Sequence, residues 1–183
     1  MRKLVTLYFL FILSFSFGQN FDEQWKEVYK HELEGKIQSA QKEVEEIYKK
    51  AKKKNNEIQI VKCFFYLSKF EQVFDENAQS KIISNLKKEI KDAKPVSKAL
   101  LNYIYATILQ NYFQRYSYSI DERTVLDNQK NTDFLSWTSI DFTTEIDEKM
   151  NACLQDEKLL RDTSLESVKE IFEISPSTDA KNY

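Results

Sequence analysis

Strands joined by tight turns draw on glycine and proline, and this chain has only two of each in 183 residues. Glycine supplies the positive-φ positions of such turns and proline presets their corners. Without them a β-rich fold is hard to close, so the chain is expected to be all-α. The apolar spacing agrees. Ile37, Ala40, Val44, Ile47, Tyr48 and Ala51 recur at helical steps, with Lys, Glu and Gln filling the positions between, which is the pattern of an amphipathic helix.

The same reading runs along the chain. A first helix is expected from Asp22 as N-cap, with Trp25, Val28, Tyr29 and Leu33 facing inward and Gly35 ending it. Lys52-Lys53-Lys54 falls in the last turn of the second helix, where positive charge favours the negative end of the dipole, and reads as a solvated helix end. Asn55-Asn56 is a turn. A third helix from Glu57 to Phe74 sets Ile60, Phe64, Leu67 and Phe70 against helix two, because a short connection makes antiparallel neighbours. A fourth carries Ala78, Ile82, Ile83, Leu86, Ile90 and Ala93 and stops at Lys94-Pro95. The fifth opens at Pro95 and reaches Tyr116, with an apolar set wide enough to be covered on more than one side. Ser117 to Thr132 loses the periodicity and reads as a long loop, the kind that tends to carry function.

Phe134, Leu135 and Trp137 then re-enter a core, and Ile140, Ile146, Met150, Cys153 and Leu154 trace a sixth helix. Thr163-Ser164-Leu165-Glu166 has capping-box spacing and is expected to open a seventh, with Leu165, Val168, Ile171 and Phe172 inward. The result is about seven helices packed as antiparallel hairpins. Their period is that of helix–turn–helix solenoids, so the array is solenoid-like, tetratricopeptide-like in shape, with no repeated sequence motif.

The first eighteen residues have a different character. Arg2 and Lys3 precede an apolar run from Leu4 to Phe17, and Ser16-Phe17-Gly18 puts small residues where a signal peptidase reads. The run is shorter than the roughly 20 apolar residues that span a bilayer. Residues 1–18 are therefore read as a secretory signal cut before Gln19, with no Cys there to take a lipid anchor. Residues 19–174 form the helical domain, and 175–183 a tail or the start of a linker. The expected location is periplasmic or extracellular, with no stable membrane span after cleavage. Losing Arg2 and Lys3 leaves 25 basic residues against 29 acidic ones, a mild acidity that argues against nucleic acid as partner.

Little in the chain can carry chemistry. His31 is the single histidine, placed on the charged side of helix one and read as solvated, so neither a two-His metal site nor a Ser/His pair backed by a second His can be built. Cys63 and Cys153 have no zinc spacing and form no CxxC pair. Cys63, inside the run Ile60 to Leu67, reads as a small buried apolar residue; an oxidising compartment leaves a Cys63–Cys153 bridge open. With Gly18 and Gly35 the only glycines there is no phosphate loop. Glu45-Glu46 and Asp121-Glu122 are neighbours that point apart and read as surface charge. Tyr103, Tyr105, Tyr112, Phe113, Tyr116 and Tyr118 fall at helical spacing and read mainly as core, with the last two reaching toward the loop. No catalytic, cofactor-binding or metal-ligating residue is assigned, and the chain is read as a non-enzyme.

One combination is familiar. Trp25, then Ser39-Ala40 leading to Ile47-Tyr48-Lys49-Lys50-Ala51, Tyr66-Leu67-Ser68-Lys69 and Asp133-Phe134-Leu135-Ser136-Trp137, after a signal ending Phe17-Gly18-Gln19, resembles the N-terminal helical region of exported bacterial alpha-2-macroglobulin-like proteins. The resemblance covers essentially the whole chain. It implies a protease-trap class in which macroglobulin domains carry a bait segment and often a thioester. Cys63 precedes Phe64-Phe65-Tyr66 and Cys153 precedes Leu154-Gln155-Asp156, so no thioester residue is carried over. The resemblance thus implies a non-catalytic docking segment of a longer polypeptide, whose partner is a protein or further domains of the same chain. A free-standing helical-repeat scaffold for a peptide or envelope protein is the alternative.

Overall fold

The computed structural model describes residues 19–70, 76–123 and 133–172, which hold eight α-helices and no strand. The signal-peptide reading of 1–18, the end of helix three at Phe74, most of the loop reading and the tail at 175–183 fall outside them. The helices are α1 (Gln19–Leu33), α2 (Ile37–Lys54), α3 (Glu57–Phe70), α4 (Glu76–Asp92), α5 (Pro95–Asp121), α6 (Ser139–Cys153), α7 (Glu157–Asp162) and α8 (Lys169–Phe172). None is long and apolar enough to cross a membrane.

Short connections set the hairpins. Gly35 takes φ +70, a conformation that costs an L side chain, and Lys36 N donates to His31 O at 2.8 Å to close α1. Asn55 adopts the left-handed conformation after α2 (φ 50, ψ 39), which asparagine tolerates better than most residues. Its neighbour Asn56 turns to the next helix, accepting from Gln59 N at 3.1 Å. The two asparagines thus end α2 and begin α3. Lys94 is extended before Pro95, as the proline ring demands, and α5 starts there.

The stripe of α2 is the cleanest: Ala40, Val44, Ile47 and Ala51 are fully buried. It packs against α1 on one side and α3 on the other, and α3 in turn meets α5. Nine of the twelve residues of α3 from Gln59 to Phe70 are buried, so this helix stands at the centre. α5 is covered on several sides, by α3, α4 and α6, which matches its broad apolar face. Its junction with α6 is a cluster of rings, Tyr112, Phe113, Phe134, Trp137 and Phe142, with centroids 5.0 to 6.5 Å apart. Finally α8 returns to α3: Val168 and Ile171 are buried, and Gln59 Nε2 donates to Glu170 Oε2 at 3.0 Å. That bond ties residues 111 positions apart in an all-α array of packed helical hairpins.

Several expectations need correction. Asp22 lies within the first turn of α1 and is not its N-cap. α5 continues past Tyr116, which bends it (φ −111, ψ 16), as far as Asp121; residues 117–121 are helix and not loop. Ile120 is buried there, and this single apolar residue extends the helix beyond the point where the pattern fades. The capping box sits at Thr138, whose backbone N–H donates to Asp141 Oδ2 at 2.9 Å, and it opens α6. Thr163-Ser164-Leu165-Glu166 forms no such box. Ser164 caps a single 3-10 turn, Leu165–Ser167, and α7 is an additional helix before it. Leu33 and Leu165, both read as inward, and Ile140 and Leu154 at the ends of the sixth-helix pattern are exposed, because each sits at a helix or turn end beyond the last packed neighbour.

Candidate functional site

α4 leans on α5 and touches α3 only lightly. A groove of about 390 Å³ is left between α2 and α4, with α3 as its floor. Phe64 and Leu67 from α3 and Ile82 from α4 line the bottom; Gln41, Glu45 and Lys49 from α2 and Lys81 and Asn85 from α4 form the rim. On α2 the rim residues follow helical spacing, so Gln41 Nε2 donates to Glu45 Oε1 at 2.9 Å and Lys49 pairs with Glu46 at 2.6 Å. The volume lies within the ~300–1,000 Å³ of typical binding clefts, and an apolar floor with a few polar groups is their usual lining.

One end of the groove is tied by a polar clasp. Tyr48 Oη donates to Glu89 Oε1 at 2.8 Å, and Lys52 Nζ reaches Glu89 Oε2 at 2.8 Å. Glu89 is 8% exposed, so both partners are needed to offset the burial of its charge. Burial first, and the bond to Glu89 second, push the Tyr48 phenol well above its usual range. Lys52 is thus part of this clasp, while Lys54 rests 5.2 Å from the Phe21 ring centre and Lys53 is solvated.

A second polar group lies on the opposite side of α3. Trp25 Nε1 donates to Gln59 Oε1 at 2.7 Å, and Lys62, 4% exposed, places its ammonium 4.6 Å over the Trp25 ring and 5.9 Å from the Tyr29 ring. Tyr66 closes the cluster, 4.8 Å from Trp25. A cation held against ring faces is attracted by their quadrupoles. The sequence pattern gave no sign of this, since Lys62 reads as a solvated position in an otherwise apolar run.

The residues singled out from sequence scatter. His31 is half-buried, contrary to the solvated reading, and its Nδ1 has no hydrogen-bond partner among the described residues. Cys63 is fully buried and burial raises its thiol pKa; Cys153 is partly exposed, donates to Lys149 O at 3.1 Å, and both are free. Glu45 and Glu46 point to different partners, and Asp121 accepts from Ser139 Oγ while Glu122 is exposed. Tyr105 and Tyr112 are core, whereas Tyr103 and Tyr118 are exposed. No three His, Cys, Asp or Glu side chains gather to hold a metal ion among the described residues. The structure brings none of these into one site. The groove residues were visible in sequence only as core or as surface, because periodicity says which face a residue takes and not how far apart two helices stand. No family model, no curated protein and no solved structure matches this chain.

Proposed function

We propose that the protein is a non-catalytic helical docking module that holds a short apolar stretch of a protein partner in the groove between α2 and α4. The observation that carries this is the groove itself, an apolar floor of Phe64, Leu67 and Ile82 under a rim of both charge signs. Helical surfaces that take peptides use this arrangement: apolar anchors give affinity and rim groups fix orientation. The non-catalytic reading draws support from the dispersal of the reactive side chains, with Cys63 encased and His31 the single histidine of the chain. The sequence resemblance supplies a setting, a docking segment of an exported alpha-2-macroglobulin-like protein, and rests on the residues quoted for it alone. A free-standing scaffold uses the same groove, and the mass of the native exported product separates the two settings.

Selection from a library of random short peptides tests the groove. Enriched peptides should carry paired Leu, Ile or Phe anchors and lose binding to Asn85→Trp, which fills the mouth, while Gln38→Trp on the exposed side of α2 binds them normally. Peptides that bind both variants alike would place the contact elsewhere and end the proposal.

A further inference from the structure

α4 has two unlike sides. Ile82, Asn85 and Glu89 turn toward α2, whereas Ser80, Ser84, Lys87, Lys88 and Lys91 recur at helical steps on the other side. That second side borders another groove, of about 290 Å³, completed by Asp133 and Phe134 at the start of the 3-10 turn before α6. Ile83 and Phe134 are its apolar floor, each 3% exposed. Lys87 is held in place, its ammonium 5.3 Å from the Trp137 ring and 5.7 Å from the Tyr105 ring. Lys88 and Lys91 are exposed and form no ion pair with another described residue. Among the described residues the lining has one acid, Asp133, which accepts from Leu135 N at 3.1 Å.

We infer that this groove is a second docking surface, distinct from the α2–α4 groove, and that its occupant is an acidic peptide segment. Among the described residues of the lining, the exposed Lys88 and Lys91, beside the ring-held Lys87, outnumber the one engaged carboxylate, a local excess of positive charge on a chain whose net charge is −2. The array is also long. From Ser80 to Lys91 the helix rises ~16 Å at 1.5 Å per residue, more than one phosphate or carboxylate group spans. It matches about five residues of extended chain at ~3.3 Å each. An acidic segment with an apolar residue among its carboxylates satisfies both rim and floor. A nucleic acid is disfavoured because a domain that binds one is usually basic as a whole.

Fluorescence anisotropy of labelled peptides on the full chain tests this. The probes are a Glu/Phe peptide, the same peptide with Gln for Glu, and a single-stranded oligonucleotide. The acidic peptide should bind, weaken as salt rises, and bind at least tenfold less tightly to Lys88→Glu/Lys91→Glu. The exposed control Lys42→Glu/Lys53→Glu should retain the affinity, with circular dichroism showing that both variants fold. Equal affinity of the two double variants, equal binding of the Gln peptide, tighter binding of the oligonucleotide, or no binding of the acidic peptide would each overturn the inference. Because Asn85→Trp leaves this groove untouched, failure here and failure of the α2–α4 groove are read separately.

Discussion

Tyr48, Tyr66 and Tyr105 share a condition that ties single hydroxyls to the stability of the whole. Each phenol is driven well above its ordinary pKa of 10.0, in every case first by burial, and then by a neighbouring oxygen: Glu89 for Tyr48, Tyr29 for Tyr66, Glu145 for Tyr105. The folded state therefore resists forming the phenolate while the unfolded chain does not. With the folded pKa above the unfolded one, this contribution is intact below about pH 10 and is lost as the pH climbs past it. Tyr48→Phe should separate two effects. Near neutral pH it should cost about 1 to 3 kcal/mol, because a bond to a carboxylate disappears. Above pH 10 its loss of stability should be shallower than in the parent chain. Urea denaturation at pH 7 and through the range 9 to 11 reads both, and an unchanged alkaline slope would show that Tyr48 ionises freely in the fold. None of this was legible in the sequence, where tyrosines at helical spacing announce burial but not the oxygen that each hydroxyl meets.

At the scale of elements, the fully buried Ile47 and the exposed Ile140 make a controlled pair, the same side chain on two helices. Ile47→Ala should lower stability by about 2 to 5 kcal/mol through lost burial and an unfilled cavity, whereas Ile140→Ala should change the melting temperature little; equivalent effects would mean that the stripe of α2 is not the packed face. The difference explains which parts of the fold could be read in advance. α2, α3, α4 and the first part of α5 were legible because several apolar residues repeat within one helix, so that one misplaced residue does not shift the face. Helix ends were not, because the last apolar residue of a pattern has nothing beyond it to pack on, as Leu33, Ile140 and Leu154 show. Thr138 and Thr163 carry nearly the same capping signature. What separates them is the sequence that follows: after Thr138 come Phe142 and Ile146, which pack against the core, while after Thr163 the buried apolar side chains among those described are Val168 and Ile171. The two grooves flanking α4 were illegible for a different reason, since they depend on α4 resting on α5 in preference to α3.

For the molecule as a whole, α3 is the helix on which the others converge, with α2, α5 and α8 packed around it. That position exposes the chain to a hazard before folding. From Ile58 to Leu67 the segment holds Ile58, Ile60, Val61, Phe64, Phe65 and Tyr66, β-branched and aromatic residues that favour strands when no helical partner is present. Such a stretch, unshielded, is the kind that stacks with copies of itself into cross-β aggregates. Lys62 is the single charge within it, and this gives the buried ammonium under Trp25 a second meaning: it interrupts self-association in the unfolded chain and is tolerated in the native one because the rings receive it. Lys62→Met keeps the length of the side chain and removes the charge. Its native stability should stay within about 1.5 kcal/mol of the parent's, yet dilution from denaturant should give more light scattering and less recovered monomer. Equal yields from both chains would show that the charge at position 62 guards nothing, whereas a drop confined to the variant would make this lysine a safeguard of the journey to the fold.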